Sequence, residues 1–324
     1  MFAGETLQQW WQSRPPGTPG RHGNVLLWPD SFTNHFHPGI GRAAVDVLEA
    51  AGWSVTIPPE PLCCGLTWIS TGQLNTAKRV LRRTAAHLAE HVRAGGLVVG
   101  LEPSCTAVFR SDAVDLLPED LDIARLRQQT VTLAELLTEH TPGWEPPRLD
   151  GTTVIAQAHC HHHAVLGWDT DQRLLDASGA DATRLDSGCC GLAGNFGFEK
   201  GHLDISVKCA ESVLLPALRG AAPHAVVLAD GFSCRTQIHE LDSGGREAVH
   251  LSELLARTLA QASSGAQPSG DLGPDQRPKP PSLAARTAAL IGTTLLTTST
   301  AAALGRVLAG EARARLGHGH HRAP

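Results

Sequence analysis

One pattern runs twice through this chain, and it restricts the fold more than any other feature. The apolar run NVLLWPDS at 24–31 aligns with TVIAQAHC at 153–160. A helical stretch and then a Cys-Cys-Gly triplet follow in each copy: Cys63-Cys64-Gly65 and Cys189-Cys190-Gly191. A longer helical stretch comes next, NTAKRVLRRTAAHLAEHVRAG in the first copy and ISVKCAESVLLPALRG in the second. Each copy continues into a buried-looking strand that ends in Ser-Cys, GLVVGLEPSC at Cys105 and AVVLADGFSC at Cys234, and closes on LAELL or LSELL. The offsets are 129 residues from Val25 to Val154, 126 from Cys63 to Cys189 and 129 from Cys105 to Cys234. Five elements recurring in one order at one spacing indicate a duplicated unit.

Apolar runs of strand length alternating with helical periodicity predict an α/β fold: two tandem, pseudo-symmetric, Rossmann-like βα repeats, each with a parallel sheet. The expected repeats span 24–140 and 151–262. The Pro- and Gly-rich segment 1–23 reads as a linker or stub, and 263–324 as a Ser/Gly/Pro-rich linker followed by a helical tail ending in HGHHRAP. Within 324 residues hydrophobic side chains make up 42%, enough for two cores. A net charge of −5 without a basic block argues against nucleic acid as a partner. Aromatic residues at 4%, with no Tyr, argue against base stacking as well. The N-terminus has no signal-peptide pattern, so a cytoplasmic location is expected. The uncharged stretch 287–305 has too few large apolar residues for a membrane span, so any membrane contact is expected to be peripheral.

The cysteines carry the chemistry. A reducing compartment favours metal ligation or redox use over structural disulfides. Seven of the eight occupy repeat-equivalent points, expected at strand ends or turns, and loops at the carboxyl ends of parallel strands converge on one crevice. The second repeat thus offers Cys160, Cys189, Cys190 and Cys234 as a pocket of soft ligands. Zinc sites usually use cysteines two to four residues apart, whereas two adjacent cysteines suit an iron–sulfur cluster, in which each sulfur can take its own iron. The glycine after each pair would let the backbone turn sharply or pass close to the inorganic core. The first repeat offers Cys63, Cys64 and Cys105, with Ser31 at the position of Cys160. Its fourth donor would be Ser31, Asp30 or His35, or it holds no metal. Cys209 reads as a buried packing residue. His159, His161, His162 and His163 surround Cys160, and one or two of them could donate hydrogen bonds to cluster sulfurs. Arg235 and Lys200 are weaker candidates for offsetting cluster charge. The run from His37 to Ala44 has part of a dinucleotide-binding glycine pattern, but Ala44 stands at the third glycine position. Glu60, its candidate acidic partner, is flanked by prolines, so turn glycines are the expected reading.

The strings PDSFTNHFHPGIGRAA, GLEPSC, HCHHHA, DSGCCGLAGNFGFE and ADGFSCRTQIHEL resemble the cysteine-rich CCG domain family. The B-type subunit of heterodisulfide reductase and the iron–sulfur subunit of glycolate oxidase represent that family. The greatest similarity is to the C-terminal iron–sulfur part of FAD-linked D-lactate and other 2-hydroxyacid dehydrogenases. The resemblance covers roughly residues 24–260. It implies a 4Fe–4S-type cluster on Cys160, Cys189, Cys190 and Cys234, and it matches Cys63, Cys64 and Cys105 to the first-repeat motif. The full family motif ends in C-x-x-C. Here Cys105 precedes Thr106-Ala107-Val108 and Cys234 precedes Arg235-Thr236-Gln237, so the second repeat has at most four thiolates. Neither a ferredoxin-like C-x₂-C-x₂-C-x₃-C-P segment nor a FAD domain occurs in this sequence. The expectation is therefore an electron-transfer module of a flavin-dependent dehydrogenase, inactive without an FAD-containing partner chain and a ferredoxin-like iron–sulfur module. The competing readings are a zinc-stabilised binding module and a thiol-redox protein without a cluster.

Overall fold

The computed structural model describes residues 2–17 and 19–264, with side chains to residue 262. The expected C-terminal linker and tail, with the stretch 287–305 and the His-rich end, lie outside the described residues. Eight short strands form two four-stranded sheets in which every pairing is parallel. The first contains β1 (Asn24–Leu27), β2 (Ser54–Thr56), β3 (Val98–Gly100) and β4 (Thr130–Thr132), in the order β2-β1-β3-β4. The second contains β5 (Thr153–Ala156), β6 (Asp181–Arg184), β7 (Val226–Leu228) and β8 (Ala248–Val249), in the order β6-β5-β7-β8. The identical order is the duplication read from the sequence, and both halves are tandem βα repeats. In each sheet the chain leaves the central strand in one direction and returns on its other side. The carboxyl ends of β1 and β3, and of β5 and β7, therefore flank a switch point, where such sheets open a crevice.

Alternation along the strands determines how the halves meet. Val25, Leu27 and Val99 in the first sheet, with Val154, Ala156, Val226 and Leu228 in the second, face one shared apolar core. Leu26 and Val98 face a separate outer core, and Val227 faces another. Four helices fill the shared layer. Helix Pro38–Ala50 packs on helix Leu251–Ser264, and helix Leu133–Glu139 on helix Asp169–Ser178. Because 38–50 corresponds to 169–178 and 133–139 to 251–264, the two contacts are pseudo-symmetric copies of each other.

Three details differ from the sequence expectation. The leading segment, expected as a linker or stub, carries helix Leu7–Ser13, closed by a capping box between Thr6 and Gln9. Leu7 is fully buried, and Gln8 bonds to Asn34 and to the carbonyls of Pro58 and Glu60. A Cβ on Gly41 would lie 2.3 Å from Leu7 Cδ2, so this glycine makes room for that helix and has no need of a nucleotide. Second, ISVKCAESVLLPALRG is not continuous: helix Leu203–Ser212 breaks at Val213 before Leu214–Gly220. Pro216 lacks an N–H and its ring would clash with the carbonyl of Ser212, which ends the first segment. Third, the strands before Cys105 and Cys234 stop early, and both cysteines sit in the first turns of helices Pro103–Arg110 and Phe232–Leu241. Among the described residues no helix is long and apolar enough to cross a membrane.

Candidate metal centre

The second-half site forms at the switch point between β5 and β7. Cys160 follows β5, Cys189 and Cys190 lie on the loop after β6, and Cys234 opens the helix after β7. The four thiols touch in series: Cys160 reaches Cys189, Cys189 reaches Cys190, and Cys190 reaches Cys234. Cys190 and Cys234 are buried in the outer core, Cys160 is half-buried and Cys189 is exposed, so the site has a sealed side and an open one.

Backbone geometry prepares these sulfurs to carry charge. Gly191 N–H donates to Cys189 Sγ at 3.4 Å, and Gly65 N–H donates to Cys63 Sγ at 3.3 Å in the first half. The next amides, Leu192 and Leu66, serve Cys190 and Cys64 in the same way. Successive N–H groups turned toward one point make a nest for negative charge. That turn requires a left-handed residue, and both glycines supply it, with φ of +86° at Gly65 and +97° at Gly191. A Cβ on Gly191 would also lie 2.2 Å from Ser206 O. Helix N-termini at Cys105 and Cys234 add partial positive charge.

Cys160, Cys189 and Cys190 share protons. The Cys160 and Cys190 thiols both donate to Cys189, whose pKa falls far below that of a free thiol. Cys160 and Cys190 are raised in turn, chiefly because donating to Cys189 holds their protons. One thiolate sharing the protons of its neighbours is a set poised to lose them to a cation.

The histidine run divides into separate roles. His159 and His161 each place Nδ1 3.9 Å from Cys160 Sγ, with their rings stacked at 5.3 Å. His159 Nδ1 accepts from His161 N–H, and burial pushes its pKa down to about 4, so the ring is neutral. His162 turns away to Asp171, and exposed His163 turns to Arg184. Arg235 is buried and donates to the carbonyls of Ala229 and Asp230, whereas Lys200 is exposed. Cys209, expected as a buried packing residue, is exposed on helix Leu203–Ser212, with its Cβ 2.9 Å from where a Cβ on Gly191 would lie. The same helix buries Ser206 and Ala210, so Cys209 lies on its outer side.

In the first half, Cys64 Sγ and Cys105 Sγ lie 3.0 Å apart, and Cys63 donates to Cys64. Buried Thr84 on the long helix Leu74–Arg93 donates to the Cys63 carbonyl at 2.9 Å and fixes the loop. The hydrogen bond from Cys64 favours the Cys105 thiolate, but burial and the Asp30 and Glu102 carboxylates push its pKa up to about 11. Of the three proposed fourth donors, Ser31 and His35 are exposed. Asp30 is 1% exposed; its Oδ1 caps helix Ser31–His35 through Phe32 and Thr33 N–H, and its Oδ2 is buried without a partner. Burial, reinforced by Glu102, raises its pKa to about 6. Both donor sets are therefore of a kind that fits a thiophilic metal or cluster: thiols from separate loops, amides aimed at them and, in the first half, an unsatisfied carboxylate oxygen.

Residues 31–110 match the family model of the CCG cysteine-rich domain. The C subunit of the anaerobic glycerol-3-phosphate dehydrogenase of Escherichia coli (strain K12) is 28% identical over 268 residues, 79% of this chain and 64% of that protein. Lactate utilization protein A of Bacillus velezensis is 27% identical over 61% of this chain and 86% of its own length. The D-2-hydroxyglutarate dehydrogenase of Pantoea ananatis is 26% identical over 68% of this chain but only 21% of that protein. The chain thus spans somewhat under two thirds of the glycerol-3-phosphate dehydrogenase relative and about a fifth of the hydroxyglutarate enzyme.

Proposed function

We propose that this chain is the iron–sulfur electron-transfer module of a flavin-dependent dehydrogenase acting on a 2-hydroxyacid of the D-lactate or glycolate type. The observation that carries the reading is the series of contacts linking Cys160, Cys189, Cys190 and Cys234, brought from three loops to one switch point. In this reading those four thiolates hold a 4Fe–4S-type cluster, and Cys63, Cys64 and Cys105 with Asp30 hold a second group. A cluster bound there supplies reversible one-electron storage. The protein's share is the rest. The nest of Gly191 and Leu192 amides offsets thiolate charge. His159 presents a neutral ring beside Cys160, and the His161 ring stacks on it. The apolar packing around Cys190 and Cys234 excludes water from one side, and exposed Cys189 marks the side where electrons enter or leave. The relatives are named as dehydrogenases, a dehydrogenase subunit and a lactate-utilization protein, which supports placing the module beside an FAD-containing chain and a ferredoxin-like module.

Anaerobic isolation followed by dithionite titration tests the reading. The expected result is a broad visible absorption that bleaches on reduction and returns on reoxidation, with iron and acid-labile sulfide in equal amounts. Colourless protein with stoichiometric zinc, or a two-electron thiol–disulfide change without iron, overturns it.

A further inference from the structure

A second group of ligand-type side chains lies where the two halves meet, apart from the thiols. His162 precedes helix Asp169–Ser178, Asp171 is in the first turn of that helix, and Asp230 follows β7. One ligand atom from each lies within 4.8 Å of the others, and all three residues are at least 92% buried. With Leu101 and Thr132 of the first half they line a small pocket of about 10 Å³, room for a single water-sized occupant. His162 Nε2 lies 3.1 Å from Asp171 Oδ2, and His162 Nδ1 is buried without any partner.

Charge accounting makes this group unusual. His250 lies beside it: Ser252 N–H donates to its Nδ1, and its Nε2 faces the Leu101 carbonyl at 3.1 Å and Asp230 Oδ1 at 3.5 Å. Glu135 is held by two hydrogen bonds from Arg110. Two buried carboxylates, Asp171 and Asp230, thus face two imidazoles, His162 and His250, and among the described residues neither carboxylate is ion-paired with a Lys or Arg. Buried charges of one sign are costly unless matched, and a divalent cation with a neutral imidazole balances two carboxylates. The repeat does not account for the group either. On the 129-residue offset the first half has Thr33 opposite His162 and Leu101 opposite Asp230, so neither residue follows from the shared fold.

We propose that His162, Asp171 and Asp230 form a binding site for one divalent cation of the manganese or zinc class, separate from the thiol centres and buried where the two halves meet. The donor set is nitrogen and oxygen only, one imidazole and two carboxylates, which suits ions that accept such ligands. The proposal does not depend on the electron-transfer reading, because none of its donors is a thiol.

Manganese is the suitable probe, since it prefers carboxylate and imidazole to thiolate. Full-length protein, freed of metal with a chelator, is titrated with Mn²⁺ while the EPR signal of the free ion is followed. The expected result is one Mn²⁺ bound per chain, with affinity unchanged in Cys190→Ser and reduced at least tenfold in Asp171→Asn and in Asp230→Asn. The asparagine at 230 keeps an acceptor for Leu251 N–H, which Asp230 Oδ1 accepts at 2.8 Å. Circular dichroism checks that each variant is folded. Failure of the wild-type chain to bind Mn²⁺ or Zn²⁺ at this stoichiometry overturns the proposal whether or not the variants fold, and so does binding that both folded variants retain.

Discussion

Two glycines separate backbone strain from crowding at the thiol loop. Gly191 and Gly194 both have positive φ, but a Cβ on Gly194 meets nothing within 4 Å, whereas one on Gly191 collides with Ser206 O. Gly194→Ala should cost about 1–2 kcal/mol, the left-handed penalty alone. Gly191→Ala should cost more and also weaken metal retention, because the 189–192 nest must shift; chemical denaturation with iron analysis checks both. Asp30 gives a pH signature in metal-free protein. Its folded pKa of about 6 lies above the unfolded value of 3.8, so the native state binds the proton more tightly. Its contribution is therefore fully present below about pH 4 and is lost as pH rises through about 6. Asp30→Asn keeps the acceptor for Phe32 and Thr33 N–H and removes the buried charge. It should melt above the wild type at pH 7, by up to roughly 3 kcal/mol of stability. Melts at pH 4 should show that advantage gone.

Among the elements, helix Leu7–Ser13 shows what a linker-like composition concealed. Pro, Gly and Arg flank it, so the segment lacked a helical run long enough to read, yet Thr6-x-x-Gln9 was a capping signal in plain view. Leu7→Ala should destabilise the protein by about 2–5 kcal/mol, the usual cost of a buried Leu cavity. Combined with Gly41→Ala it should cost less than the sum of the single changes, because the new methyl group enters the vacated space. A double-mutant cycle by urea unfolding reads this directly. Strand–helix alternation and the repeat were legible because they rest on local periodicity. The ends of β3 and β7 were not, because the apolar runs continue into the following turns. Pro103 at the first helical position was the available cue in the first half. The convergence of the cysteines was legible from their placement after parallel strands. The division of labour among His159, His161, His162 and His163 was not, because an irregular π-helical turn starts within the run, at His162–Leu166.

At the scale of the molecule, the described residues behave as one unit with a doubled plan. The central strands β1, β3, β5 and β7 are apolar on both faces, so the sequence alone did not say which face would be shared between the halves. The structure answers with the common helix layer and with specific ties across it. Phe32 stacks on Phe232 at 4.3 Å, Glu102 accepts from Phe232 N–H at 2.8 Å, and Ser252 Oγ donates to the Ile40 carbonyl at 3.0 Å. Neither half should fold alone, and the chain should unfold in a single transition rather than two. Differential scanning calorimetry would show one peak, and Phe232→Ala should lower its midpoint without splitting it. The duplicated frame also explains why two thiol centres occur in one chain, each at its own switch point. The central claim is that the second of these centres is a ligand set and not a chance gathering of cysteines. Iron content after anaerobic reconstitution, measured side by side on the wild type, Cys190→Ser and Cys209→Ser, tests it most directly. Cys209→Ser should retain the wild-type iron, and Cys190→Ser should lose the second-half share. Equal iron in both variants, or none in the folded wild type, would contradict it.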